Sequence, residues 1–505
     1  MTHALTVSEL LAGHTGPALG APDRPDLSFG DLAAQIARTG AQLASLGAGP
    51  GAAVAIALPN GPEMAAAFLG VAAHATAAPL NPNYTADEFA FYIEDLGAKL
   101  LIVQQGVDSP ARAAAARLGT TVINLVPGEL PGAFDLRDAT GASLAFGSAT
   151  LNGPDDTALV LHTSGTTSRP KIVPLTAANI CTSAANVAAT LRLSSADRCL
   201  NIMPLFHIHG LIAAVLSSLS AGAAITCTPG FDALRIFGWI RSARPTWYTA
   251  VPTMHQAILS RAARNTDVVA GAGLRFIRSS SASLPVPVLH ELEKTFGCRV
   301  IEAYGMTEAA HQMASNQLEP GLRKPGTVGA AAGPEVAIMS SEGALLPRGE
   351  VGEIVIRGAN VTPGYLNNEK ANAENFTNGW FRTGDQGALD DDGFLTIRGR
   401  LKEIINRGGE KVSPGEVDAV LMEHPAVAQV VTFAMPHPKL GEDVAAAVVL
   451  KEGITSDEKA LRDHAALSLA AFKVPRKILI LDDIPKGSTG KLQRIGLAEK
   501  LGLGA

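Results

Sequence analysis

Cysteine is scarce in this chain: Cys181, Cys199, Cys227 and Cys298 are the only four in 505 residues, far apart and without a C-x-x-C pair. That spacing excludes a zinc ribbon or a disulfide framework and fits reduced thiols in a cytoplasmic setting. Positive charge is not in excess either. With 41 Lys and Arg against 47 Asp and Glu the net charge is −6, which excludes a general nucleic-acid binder. A polyanionic ligand must therefore meet cations gathered locally. No hydrophobic run reaches the length of a membrane span, because His74 interrupts the alanine-rich stretch that begins near Met64, and Asn81, Asn83 and Asp87 close it. The first residues show no basic region followed by an apolar one, so no signal peptide is expected. The last four, Gly502, Leu503, Gly504 and Ala505, are not a peroxisomal Ser-Lys-Leu address.

What remains is a globular composition, 47% hydrophobic and 17% charged, in a chain too long for one core. At least two domains are expected. Residues 29–46 carry apolar side chains at helical spacing, 52–58 read as a short buried strand, 64–74 as an apolar helix and 99–104 as another strand. The alternation resumes with strands at 198–203, 223–228, 246–250, 274–279 and 299–303. Such alternation predicts α/β layers with largely parallel strands. Beyond about residue 325 short strands with glycine turns predict a small β-rich subdomain. A boundary is expected near Gly399, Arg400, Leu401 and Lys402, giving a large domain over 1–398 and a small α+β domain over 399–505. The small domain should contain helices at 416–422 and 457–469 and strands at 427–433 and 445–450.

The most informative stretch follows the buried strand at 158–161. Thr163, Ser164, Thr166 and Thr167 crowd hydroxyls around Gly165, and Lys171 comes shortly after. Backbone N–H groups, hydroxyl donors and one cation are what a polyphosphate needs. The G-x-x-x-x-G-K-[ST] spacing of the common P-loop is absent, since Lys171 lies between Pro170 and Ile172. Taken alone, the segment reads equally as a solvated Ser/Thr turn.

Downstream segments extend the pattern in order. His207 and His209 follow a strand in the run Pro204, Leu205, Phe206, His207, Ile208, His209, Gly210. Ser279, Ser280, Ser281, Ala282 and Ser283 form a stretch of small residues. Glu302, Ala303, Tyr304, Gly305, Met306, Thr307 and Glu308 come next, then Arg382, Thr383, Gly384 and Asp385, then Gly399, Arg400, Leu401 and Lys402. Gly487, Ser488, Thr489, Gly490 and Lys491 close the set, which spans about residues 158 to 494. This ordered set resembles the adenylate-forming acyl-CoA synthetases, and most closely their oxalyl-CoA synthetase branch.

The resemblance implies ATP, Mg²⁺ and CoA as reactants and cofactor, a small carboxylate as substrate, and no nucleic-acid or membrane partner. Thr163, Ser164, Gly165, Thr166, Thr167 and Lys171 would embrace the β- and γ-phosphates, and Glu308 would hold Mg²⁺, a cation that prefers oxygen ligands. Thr307 would contact the α-phosphate. Ser281, Ala282, Glu302, Ala303, Tyr304 and Gly305 would surround adenine, with Tyr304 stacked on it. Asp385 would accept the ribose hydroxyls, Arg400 would assist beside them, and Lys491 would bridge the incoming carboxylate and the α-phosphate. The small domain would then rotate about Lys402 and bring Gly408 and Gly409 to the pantetheine of CoA. Oligomeric state is left open.

In the oxalate branch a serine stands where most relatives have glycine, here Ser168, and a histidine, here His311, follows the Mg²⁺-binding glutamate by three residues. His311 suits a second carboxylate, which needs hydrogen bonds or a cation once buried. Ser281, His207 and His209 are its candidate partners, and His207 also reads as a gate. Duller readings stand beside these: Asp385 as a turn cap, Glu308 as a surface acid, Tyr304 as a core aromatic, His311 as an ordinary histidine, Lys491 as a solvated tail lysine. A ligase for another small, aromatic or fatty carboxylate, a non-catalytic nucleotide binder and a luciferase-like oxidative enzyme are the alternatives. The chain departs from the family where a glycine usually follows Pro-Lys. Ile172 stands there, and a β-branched residue resists positive φ, so if the family's glycine is needed for its backbone shape, an altered phosphate-loop geometry or ATP step is expected.

Overall fold

The computed structural model describes residues 4–163, 170–486 and 492–504. Ser164, Gly165, Thr166, Thr167, Ser168 and Lys491 lie outside the described residues. Two large sheets, a smaller antiparallel sheet and a five-stranded C-terminal sheet organise the rest.

The nine-stranded sheet runs, in spatial order, Ala330–Ala331, His311–Ser315, Arg299–Met306, Phe276–Ser279, Trp247–Ala250, Arg198–Asn201, Ala224–Cys227, Pro17–Gly20 and Leu27–Ser28. Its middle pairs are parallel and its outermost pairs antiparallel. The seven-stranded sheet has the same plan, with parallel Thr121–Pro127, Leu100–Gln104, Ala53–Ala57, Thr76–Pro79 and Thr157–Thr163 flanked by antiparallel Phe134–Arg137 and Lys171–Thr176. The α/β layering read from the sequence is therefore the fold. Strands buried on both faces explain the near-continuous apolar runs, such as Leu-Leu-Ile-Val at 100–103.

Helix Pro62–His74 lies in the main core, which also takes in side chains from both large sheets. Alanine and glycine make it thin enough for close packing. A Cβ at Gly70 would sit 2.8 Å from Thr39, and one at Gly40 would sit 2.4 Å from the His74 ring. His74, the residue that breaks the apolar run, is buried with Nδ1 3.0 Å from the Gly70 carbonyl.

The β-rich region is an antiparallel sheet of Leu345–Leu346, Glu335–Met339, Gly352–Arg357, Trp380–Leu389, Phe376–Thr377 and Leu395–Arg400. A short turn at Leu401–Glu403 leads from it to the last sheet, formed by Glu410–Val412, Ile405–Arg407, Gly441–Leu450, Val427–His437 and Lys477–Ile480. Helices Pro414–Met422 and Glu458–Ser468 accompany that sheet. Gln256 Nε2 donates to the Ala428 carbonyl at 2.8 Å, linking the last sheet's Val427–His437 strand to helix Pro252–Ala262.

Candidate active site

In parallel α/β sheets ligands bind beyond the carboxyl ends of the strands. Three of the predicted segments leave such ends. His207 and His209 follow Arg198–Asn201, Ser281 follows Phe276–Ser279, and Thr307 and Glu308 follow Arg299–Met306. A fourth, Asp385, arrives from the antiparallel sheet on Trp380–Leu389.

At one end of this cluster stand two carboxylates. Glu308 sits in the turn Thr307–Ala309 and is buried, so it is no surface acid. Its Oε1 accepts from the Tyr365 hydroxyl at 2.9 Å, and burial raises its pKa against the pull of that bond and of nearby Arg400 and Lys171. Lys171 Nζ lies 4.3 Å from the centre of the Tyr365 ring, a cation–π contact. Burial lowers the lysine's pKa, Glu308 opposes that, and neighbouring Lys402 adds to it. Lys171 pairs across the strands with half-buried Thr163, so the residues that bracket the hydroxyl cluster are held in register. A buried carboxylate oxygen facing cations and a phenol is a hard donor of the kind Mg²⁺ takes, so Glu308 fits the ion. Tyr365 escaped the sequence reading. Its only signal is its place after Pro363 and Gly364, a turn that says nothing of a partner 57 residues away.

Asp385 is also buried and also held by a phenol, the Tyr304 hydroxyl, which donates to Oδ2. Oδ1 lies 3.5 Å from Nε of Arg400, its antiparallel register partner. Gly384 precedes it with φ +73° and donates its N–H to Glu353 Oε1 at 2.9 Å. Tyr304 is buried, as the duller reading has it, yet its hydroxyl reaches the carboxylate expected at the ribose. Glu302 turns its side chain elsewhere. Its Oε2 accepts from Gly326 N at 3.1 Å, and burial pushes its pKa up to about 8. Ala303 is buried and Ala282 exposed.

The other end is built of neutral hydrogen-bonding groups around one cation. His209 opens a π-helical segment, His209–Leu216, a geometry frequent at functional sites, and is fully buried. Its Nδ1 is 3.0 Å from Ser281 Oγ and its Nε2 is 2.6 Å from Thr249 Oγ1. His207 stands beside it, accepting the His209 N–H on Nδ1 at 3.2 Å. The His311 ring centre is 4.9 Å from that of His209. Of the expected acid-binding residues, Ser281, His209 and His311 thus meet, with His207 at the edge.

The backbone at this end is strained. Ser281, Ala310 and His311 have φ of +73°, +46° and +103°, values that residues with a Cβ rarely adopt. Asn360 holds the segment by donating to the Ala309 and Gln312 carbonyls, at 2.8 and 3.0 Å. Gly305 makes room: a Cβ there would lie 2.0 Å from the His311 carbonyl oxygen and 2.3 Å from Nδ1. Behind His311 lies Arg278, fully buried on Phe276–Ser279, which the sequence reading passed over as part of a core strand.

Ile172 itself is unstrained, while the loop from Ser164 to Arg169 lies outside the described residues. Ile172 lies in the regular strand Lys171–Thr176, opposite His162, with its side chain packed on Ala78 and Val160, and it is not among the residues of positive φ. The strand supplies an extended backbone that suits a β-branched residue, so no strain arises there. Gly408 and Gly409 make the two-residue turn between Ile405–Arg407 and Glu410–Val412, with φ +61° and +101°. Two positive φ values in a two-residue hairpin require glycine for the turn itself. They bond within their own sheet, to Asn406 and Leu440. Lys402 is exposed in the turn Leu401–Glu403.

No helix among the described residues is long and apolar enough to cross a membrane. An oxalate–CoA ligase of Arabidopsis thaliana is 46% identical to this chain over 483 residues, 94% of each sequence. An oxalate–CoA ligase of Saccharomyces cerevisiae is 41% identical over 478 residues, 88% of this chain and 86% of that one. The crystal structure of ATP-bound MatB from Rhodopseudomonas palustris matches with a TM-score of 0.87 at 30% identity, over 98% of both chains. The AMP-binding enzyme profile covers residues 16–366 and the AMP-binding enzyme C-terminal domain profile covers 416–491. With the buried carboxylates Glu308 and Asp385, the strand-end histidines and these matches together, the chain belongs to the AMP-binding enzyme family.

Proposed function

We propose that this chain is an ATP- and Mg²⁺-dependent acid–CoA ligase whose acid is oxalate. It adenylates one carboxylate with release of pyrophosphate, then transfers the acyl group to CoA and releases AMP. The observation that carries the choice of acid is the polar lining of the acid end, Ser281, His209 and His311, where an acyl tail would need apolar walls. The oxalate–CoA ligases among its relatives support the same reading.

The reaction sets the residues' tasks. Two anions must approach, so charge has to be neutralised as it develops. Thr163, Ser164, Gly165, Thr166, Thr167 and Lys171 hold the outer phosphates, with Thr307 at the α-phosphate. Glu308 would hold Mg²⁺, which would supply positive charge against that of the phosphates. Asp385 accepts the ribose hydroxyls while Arg400 balances it. Lys491 brings a compact ammonium to the attacking carboxylate and α-phosphate. Oxalate keeps its second charge throughout, and Ser281, backed by His209, and His311 receive it, with His207 beside the path by which CoA enters.

For thioester formation the domain from 399 to 505 turns about Lys402 and presents Gly408 and Gly409 to pantetheine. Four cysteines free of disulfides accord with a cytoplasmic site of action.

The test is a panel of acids, each assayed for pyrophosphate release and for thioester. Oxalate should be turned over with the highest kcat/KM, and acetate, benzoate and octanoate should lag by about tenfold or more. Preference for a monocarboxylate would overturn the choice of oxalate. Pyrophosphate release without any acyl-CoA would overturn the ligase.

A further inference from the structure

We infer that Arg278 is the positioning residue for selectivity toward a dianionic acid, orienting the hydrogen bonds of Thr249, His209 and Ser281, and of His311, toward the second carboxylate. This rests on the acid–CoA ligase reading above and adds a residue that no motif contains.

Arg278 is among the largest fully buried side chains of the molecule. Among the described residues no carboxylate pairs with it. Nη1 reaches Thr249 Oγ1 at 3.5 Å and His311 Nε2 at 3.3 Å, and Nη2 reaches Gln312 Oε1 at 3.3 Å. Nε has no hydrogen-bond partner. Every acceptor is neutral and every contact is long. A guanidinium held this way is costly to bury, and replacing it with an apolar side chain would ordinarily stabilise a core. Burial lowers its pKa to about 9, which leaves it protonated at neutral pH. Its charge is satisfied only when an anion arrives.

The charge also dictates where hydrogens point. Arginine donates and never accepts. Thr249 and Arg278 are register partners on adjacent parallel strands, which places their side chains together. Thr249 Oγ1 accepts from Arg278, so its own hydrogen turns to the nearest acceptor, His209 Nε2 at 2.6 Å. His209 then carries its proton on Nδ1 and donates it to Ser281 Oγ at 3.0 Å. Ser281, half-buried where the others are buried, directs its hydroxyl hydrogen outward. His311 Nε2 accepts from Arg278 as well, which puts its proton on Nδ1. Gln312 is fixed in the same sense: its amide donates to Thr190 Oγ1 and the Ala332 carbonyl, both at 3.0 Å, leaving Oε1 for the arginine. The chain is polarised from one buried cation, and polarised chains strengthen each bond in them. With a neutral residue at 278 the order can reverse, so that Ser281 donates inward and shows a carboxylate its lone pairs.

The strain has the same address. Ser281 and His311, the two ends of the array, are held at positive φ. Backbone strain of this kind persists where it aims a side chain.

The experiment uses the full-length enzyme with Arg278→Met, Arg278→Lys and Thr249→Val, assayed with oxalate and with the monoanion glycolate, alongside Tm and the KM for ATP. Arg278→Met should cut kcat/KM for oxalate by about ten- to a hundredfold, mostly through KM, with glycolate and ATP changed by less than about threefold. Arg278→Lys keeps the charge and should recover much of the ratio. Thr249→Val keeps the arginine but breaks the chain, and should lower oxalate use by about tenfold even if Arg278→Met does not fold. Equal losses for both acids, or an unchanged ratio in Thr249→Val, would overturn the inference while leaving the ligase intact. A wild-type enzyme that favours glycolate over oxalate overturns the oxalate reading and this inference with it, before any variant is made.

Discussion

At the nucleotide end two buried carboxylates, Asp385 and Glu308, each accept a hydrogen bond from a phenol, Tyr304 and Tyr365. At the acid end a buried guanidinium, Arg278, donates to a threonine, a histidine and a glutamine. Both ends bury charge against a neutral hydrogen-bonding partner, with opposite sign, and Asp385 has Arg400 beside it as well. A phenol holds a carboxylate without cancelling it, so the oxygens remain able to receive a cation or a hydroxyl. Likewise, neutral acceptors hold the guanidinium without discharging it. The difference lies in reach. On the proposed reading the carboxylates act at first hand, whereas the arginine acts through Thr249, His209, Ser281 and His311.

The largest effect should come from the nucleotide end and should be blind to the acid. Glu308→Gln keeps the shape and can still accept from Tyr365, but it removes the charge that we propose holds Mg²⁺. Turnover should fall by about 10²–10³, by the same factor for every acid in the panel, and the Mg²⁺ concentration for half-maximal rate should rise. Matched kcat measurements across acids check this. A loss that varies with the acid would dissolve the distinction between the two ends, and undiminished turnover would remove Glu308 from the mechanism.

A smaller effect, and one that depends on the acid, is expected from Gly305→Ala. The added methyl would press on the His311 carbonyl oxygen and Nδ1, at 2.0 and 2.3 Å. Overpacking of that kind costs about 1–3 kcal/mol, readable by denaturant titration. Since the shifted group is His311, the oxalate-to-glycolate ratio should drop about tenfold. A destabilised protein with its ratio intact would place His311 outside acid recognition.

The contrast between the ends also explains what the sequence disclosed. Lys171, Glu308 and Asp385 stand in short segments of distinctive residue types, so they could be singled out with their neighbours, and the structure shows the two carboxylates buried, each held by a phenol. The alternating apolar segments likewise announced both large sheets, and helix Pro62–His74 and strand Leu100–Gln104 appear within two residues of their expected bounds. Tyr365 and Arg278 were not legible because their meaning is tertiary. Arg278 sits in Phe276–Ser279, a strand read as core, and its partners come from Trp247–Ala250 and His311–Ser315. A charge inside a buried strand was the available signal. Ile172 shows the reverse failure, a departure from a family pattern that the local strand absorbs without strain.

Glu302 offers the smallest effect on turnover and the sharpest limit on the comparison. It is a third buried carboxylate, one strand position from the site, yet it accepts from the backbone of Gly326 rather than from a phenol. We propose that it serves the scaffold rather than the nucleotide. Burial lifts its pKa from 4.5 to about 8, and the folded protein therefore keeps a proton there that the unfolded chain gives up. The sign follows from linkage: no penalty below about pH 4.5, stability falling as pH rises from there to about 8, and the full penalty above. Glu302→Gln is neutral at every pH and can still accept from Gly326. It should reduce the loss of unfolding free energy between pH 5 and pH 8.5 by roughly 2–4 kcal/mol, at about 1.4 kcal/mol per pH unit, while kcat with oxalate stays within about twofold of wild type. An unchanged pH slope in urea melts would show that Glu302 is ionised in the folded protein. A collapse of turnover with normal stability would move this carboxylate from the scaffold into the nucleotide end, where a backbone partner would then serve as well as a phenol.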